Sequence, residues 1–193
     1  MTHPANPSTQ LPPNPTGPES IVLIGFMGTG KTTIGRRLAR STDLPFEDTD
    51  DLIVERAGLT IPEIFRMHGE AAFRKVESES LAKLDPRCPR ILSTGGGIVL
   101  APANRARLRE LGFVVWLSAT EEEIQQRVSR NRKRPLMQGG NPRETIQRLL
   151  GERTPFYRET ADWTLDTTGL AISETVRLIL GQAEIHARAG RRD

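Results

Sequence analysis

A chain of 193 residues, 36% hydrophobic and 26% charged, has the length of one ordinary domain and enough apolar material to core it. No apolar run approaches the ~18 residues of a membrane span, and the single cysteine, Cys88, excludes an internal disulfide framework and a cysteine-based zinc site. The net charge of +3 and a pI near 9.5 invite a nucleic-acid reading, but the charge is small, so where it falls matters more than its sum.

Residues 1–30 hold no Lys or Arg, and six of the 14 prolines lie in residues 1–18. Such a segment buries too little surface to offset its ordering entropy, so residues 1–19 read as a disordered Pro-rich tail. It has neither the basic start and apolar stretch of a signal peptide nor the arginines of a transit peptide, and the expected compartment is the cytoplasm.

From Ser20 onward short apolar runs alternate with longer amphipathic ones. Residues 20–27 (SIVLIGFM) form a continuous apolar run, as a buried parallel strand does. Residues 32–40 follow with helical spacing, and 44–50 (LPFEDTD) read as a short strand ending in acids. Residues 60–84 form one or two helices, opened by the capping-box pair Thr60 and Glu63. Residues 90–96 are a second buried strand ending in glycines, 102–111 a helix, and 113–119 (FVVWLSA) a third apolar strand. Thr120 and Glu123 cap the next helix; a helix over 143–153 stops near Pro155, which fixes where Arg153 points. A strand at 163–167 and a helix at 173–188, capped by Ser173, complete a single domain over 20–188, followed by a basic end at 189–193. Such alternation implies an α/β fold with a mostly parallel sheet covered on both faces, which binds ligands beyond the carboxyl ends of its strands.

The strongest motif lies at the first of those ends. Gly25-Phe26-Met27-Gly28-Thr29-Gly30-Lys31-Thr32 fits G-x-x-x-x-G-K-[ST] between an apolar strand and a helix. Its glycines let backbone N–H groups turn around a phosphate, and the following helix presents its positive end to the anion. Lys31 reaches the β- and γ-phosphates, and the Thr32 hydroxyl is placed for Mg²⁺.

The other motifs are weaker singly. Asp48 and Asp50, on one side of an extended segment, offer a metal-associated acid and a proton acceptor; they read equally as capping acids of a following helix. Arg74 and Glu77 share a helix face, so Glu77 either orients Arg74 towards a substrate carboxylate or forms a surface pair. Gly95-Gly96-Gly97 after a buried strand implies a close backbone approach, or else a flexible loop. Arg127, Arg130, Arg132, Lys133 and Arg134 place five cations in eight residues. Without interleaved aromatics they suit a mobile lid over 127–142 better than a nucleic-acid surface.

Taken in order, GFMGTGKTT, FEDTD, FRKVE, STGGG, RPLM and ERTPFYRETAD resemble the shikimate kinase family over about residues 20–168. The resemblance implies a three-layer αβα fold with a five-stranded parallel sheet, a substrate-binding helical insertion at about 48–77 and a mobile lid. It implies transfer of the γ-phosphoryl group of ATP to the 3-hydroxyl of shikimate, with Mg²⁺ as cofactor, by a monomer with no nucleic-acid or membrane partner. Carried over by motif, Gly28, Thr29, Gly30, Lys31, Thr32 and Thr33 cradle the phosphates, Thr32 ligates Mg²⁺, and Asp48 lies near the metal. Asp50 binds shikimate hydroxyls and is the candidate base, Arg74 and Arg153 hold the carboxylate, and the Gly96 backbone contacts the substrate. Arg134 reaches ATP, and Arg127 packs on adenine. Two alternatives are another small-molecule kinase of the same fold, gluconate-kinase-like, and a catalytically silent nucleotide-binding relative.

Overall fold

The computed structural model describes residues 19–129 and 141–189. The expected tail up to Pro18, the heart of the expected lid at 130–140 with Arg134, and residues 190–193 lie outside them.

Five strands are present among the described residues: β1 (Ile21–Ile24), β2 (Phe46–Asp48), β3 (Ile91–Ser93), β4 (Phe113–Ser118) and β5 (Trp163–Asp166). They pair in the order β2-β3-β1-β4-β5, every pairing parallel. Ile21 registers with Ile91 on one side and Phe113 on the other, so β1 is the central strand. Connections from β1 and β3 leave to opposite sides of it, which places a ligand crevice beyond its carboxyl end.

Strand alternation divides β1 between two cores. Ile21 and Leu23 join Ile34 and Leu38 of α1 (Lys31–Thr42) and Val176 and Ile179 of α7 (Ile172–Ala189). Val22 and Ile24 join Leu81 of α3 (Ile61–Ala82), Leu108 of α4 (Pro102–Leu111), Ile124 of α5 (Glu121–Ser129) and Tyr157 of α6 (Pro142–Thr160). This is the three-layer αβα arrangement. A small satellite core of Ile53, Ile64 and Phe73 joins α2 (Thr49–Ala57) to α3 beyond the β2 end.

Three local expectations need correction. The second strand does not run to residue 50: it ends at Asp48, and Thr49 and Asp50 open α2. The Asp48 side chain accepts the Asp50 N–H at 3.1 Å, so the strand stops where its last acid caps a helix. The helix at 143–153 does not stop near Pro155; α6 runs through it to Thr160. Proline removes one backbone hydrogen bond, but continuing the helix buries Tyr157 and Thr160 completely, and that burial outweighs the loss. Ser173 is not the cap of the last helix: the Thr175 N–H donates to Ala171 O, so α7 begins at Ile172 and Ser173 lies inside its first turn. Residues 60–84 resolve as one helix broken at Gly69, where φ is 77° and ψ 178°. Its Glu63 carboxylate accepts from the Thr60 N–H at 2.8 Å, the glutamate half of the capping pair, and also from the Thr60 hydroxyl. Among the described residues no helix is long and apolar enough to cross a membrane.

Candidate active site

A cleft of about 570 Å³ opens beyond the carboxyl ends of β1 and β3. Gly28, Thr29, Gly30, Lys31, Thr32 and Thr33 line its floor. Gly30, the residue before α1, has φ 93°, a left-handed turn that glycine adopts freely and that aims the first helical N–H groups into the cleft. Lys31 is held in the concavity of the loop, its Nζ donating to Gly25 O at 2.7 Å and Phe26 O at 2.8 Å. Thr29 closes the turn by donating to Phe26 O.

One side of the cleft is an oxygen cluster. The Thr32 hydroxyl donates to Asp48 Oδ2 at 2.9 Å and lies 3.4 Å from Ser93 Oγ. Strands β1, β2 and β3 end side by side, which is why residues so distant in sequence converge. Hydroxyl and carboxylate oxygens beside a phosphate loop suit Mg²⁺, a hard cation that keeps several waters and takes few protein ligands. Among the described residues no group of three or more His, Cys, Asp and Glu side chains could hold a metal.

Asp50, Gly95 and Gly96 continue the lining away from the phosphate loop. The Gly95 N–H donates to the hydroxyl of buried Thr49 at 2.9 Å, tying the glycine segment to the first turn of α2. Thr94 ties it to β1 by donating to Leu23 O at 2.9 Å. Asp50 Oδ1 and Glu77 Oε1 flank Gly95, each 3.1 Å from where a Cβ would sit.

Arg74 and Arg153 approach the same glycines from two helices. Arg74, on α3, donates to Glu77 Oε2 at 2.8 Å, and its guanidinium occupies the space that a side chain at Gly97 would need. Glu77 is 1% exposed, so this is no surface pair. Burial pushes the Glu77 carboxyl up from its ordinary value, with Arg74 pulling it back and nearby Asp50 adding to the rise. Burial works against the Arg74 charge too, but Glu77 and Glu70 outweigh it and hold the guanidinium above its ordinary pKa. Arg153, on α6 and 3% exposed, donates to Gly96 O at 3.2 Å and lies over the Phe26 ring. Its Nε has no hydrogen-bond partner among the described residues.

On the opposite wall, Arg127 of α5 donates to Gly28 O at 3.3 Å and pairs with Glu123 at 2.6 Å. Thr167, Leu170, Ile172 and Thr175, from the β5 end and α7, complete that wall. The structure thus assembles every expected site residue it describes around one cleft and its glycine edge; Arg134 lies outside the described residues.

Sequence reasoning missed three participants. Ser93 is the last residue of β3, and its place at a strand's carboxyl end was the available signal. Thr49 hides between two acids that draw the eye. Tyr157, the only tyrosine of the chain, donates its hydroxyl to Gly96 O.

A model of the shikimate kinase family matches residues 27–184. The shikimate kinase of Thiobacillus denitrificans is 41% identical over 167 residues, covering 86% of this chain and 91% of its own. That of Bordetella pertussis is 44% identical over 168 residues, covering 87% and 80%. The solved structure of shikimate kinase from Acinetobacter baumannii in complex with shikimate superposes with a TM-score of 0.84 at 40% identity, over 89% of this chain and 95% of that one. Sequence and fold agree over the same stretch, and the chain belongs to the shikimate kinase family, ATP-dependent kinases whose phosphoryl acceptor is a hydroxyl.

Proposed function

We propose that the protein transfers the γ-phosphoryl group of ATP to the 3-hydroxyl of shikimate, giving shikimate 3-phosphate and ADP. The observation that carries this reading is the arrival of two guanidiniums, half-buried Arg74 from α3 and buried Arg153 from α6, on the Gly96–Gly97 segment beside a phosphate loop. Two such cations clamp one carboxylate, and Asp50 on the same edge of the cleft takes the hydroxyls of a small ring. The backbone of Gly96 closes the substrate side.

Gly28 to Thr33 enclose the phosphates with N–H groups and the α1 amino end. Lys31 exchanges its loop carbonyls for phosphate oxygens and neutralises charge as it moves from ATP to the acceptor. Thr32, with Asp48 bonded to its hydroxyl, holds Mg²⁺, which when bound shields the phosphate charges. Asp50 accepts the proton of the 3-hydroxyl as its oxygen bonds to phosphorus and the bond to ADP breaks. Arg127 packs on adenine, and Arg134, in the lid over 127–142, reaches ATP and excludes water. The substrate-binding region spans about 48–77, and the enzyme acts as a cytoplasmic monomer without nucleic acid.

The test is a coupled ADP-release assay. ADP release is expected only with shikimate and Mg²⁺ together, and not with gluconate. Turnover of gluconate but not shikimate, or binding of both substrates without turnover, overturns the reading.

A further inference from the structure

The Gly96–Gly97 peptide is held from both ends. Its carbonyl accepts from Arg153 Nη1 at 3.2 Å and from the Tyr157 hydroxyl, so both oxygen lone pairs are engaged. At the other end the Arg74 guanidinium presses on Gly97, where a Cβ would collide with it. The peptide is planar, so an oxygen fixed from two directions also fixes the Gly97 Cα against which Arg74 rests. One peptide unit is therefore the spacer between two guanidiniums carried by different helices.

Tyr157 is the rigid member of this arrangement. It is 1% exposed, and its ring stacks on Trp116 with centroids 5.7 Å apart, so the core places its hydroxyl. Burial pushes the phenol pKa up, which keeps the hydroxyl neutral and able to donate. Arg153 is held by its bond to Gly96 O, by its interaction with the Tyr157 hydroxyl and by its position over Phe26.

We propose that Tyr157 is a positioning residue for recognition of the substrate carboxylate: by sharing the Gly96 carbonyl with Arg153, it sets the gap between Arg153 and Arg74. This rests on reading those arginines as a carboxylate clamp. Without the hydroxyl, the carbonyl turns towards Arg153 and draws its guanidinium onto the loop. The loss falls on the substrate carboxylate, and ATP, bound on the far side of Asp50, does not sense it.

The experiment compares wild type, Tyr157→Phe and Arg153→Ala on shikimate and on shikimate methyl ester, with Tm measured in parallel. Tyr157→Phe is expected to raise KM for shikimate about five- to tenfold, the worth of one hydrogen bond, with KM for ATP and kcat within about twofold. Its KM for the ester, which lacks the charge to be clamped, stays near the wild-type value. An unchanged shikimate KM, or equal increases for acid and ester, overturns the proposal while leaving the clamp standing if wild type prefers the acid to the ester and Arg153→Ala loses that preference. If wild type fails to discriminate acid from ester, or Arg153→Ala discriminates as well as wild type, the clamp reading falls and the proposal with it. A second readout needs no substitution at this position. Because Tyr157 is the only tyrosine, biosynthetic 3-fluorotyrosine labels it alone. Its ¹⁹F resonance is expected to shift with shikimate and much less with the ester; an equal response to both overturns the proposal.

Discussion

At the scale of single residues, the site is governed by charges that burial makes consequential. Arg153 is charged, nearly inaccessible and only partly satisfied by the protein, so an anion completes its hydrogen bonding. Arg153→Ala is expected to raise KM for shikimate by about 10- to 100-fold, the range of a lost charged hydrogen bond, with far less effect on KM for ATP. Steady-state kinetics with each substrate varied in turn will check this. Glu77 yields a pH effect with a definite sign. Burial raises its pKa in the folded protein, so it takes a proton as pH falls before an ordinary carboxylate does. Protonated Glu77 releases its hold on Arg74, and KM for shikimate is expected to climb on the acid side. In Glu77→Gln the KM is raised at neutral pH and loses this acid limb, which a KM–pH profile measures. The same shift makes the folded state the better proton binder, so the stability contributed by Glu77 falls as pH rises from the ordinary glutamate pKa through the raised one.

At the scale of elements, most strands and helices are legible because their periodicities are local. The β4 run FVVWLS and the α4 segment at 102–111 appear where their patterns place them, to within a residue. The misreadings occur where a contact remote in sequence overrides a local signal. Helix α6 is the clearest instance. Proline is a sound stop signal, but Tyr157 and Thr160 on the next turn find a core the local sequence does not announce. Pro155 itself is exposed, so Pro155→Ala restores a helix bond without disturbing packing. The expected gain is about 1 kcal/mol, a rise in Tm of about 2–4 °C by calorimetry. The β2–α2 junction is a subtler instance. Alternation rightly identifies Asp48 as a strand-end acid, yet Asp50 reaches the cleft from a helix rather than from an extended chain.

At the scale of the whole molecule, the sheet separates two cores that share no side chains. Leu38 packs on one face and Leu108 on the other, both fully buried. Leu38→Ala and Leu108→Ala are each expected to cost about 2–5 kcal/mol, and the double variant their sum, because the sheet lies between the two cavities. Urea denaturation of the three variants tests this; a strongly non-additive result means that the layers couple through the strands. The phosphate loop, the α/β layering and the candidate acids and arginines are legible in the chain alone. Each is written in contiguous residues, where a glycine turn, an apolar run or a capping pair acts on its immediate neighbours. Which of these meet depends on how the elements pack. Arg74, Glu77, Arg153 and Tyr157 belong to two helices far apart in the chain, and Thr49 and Ser93 end or follow different strands. Their convergence on Gly95 to Gly97 depends on strand order, on the face each helix buries and on a helix that continues through its proline. These are outcomes of packing, which no local pattern encodes.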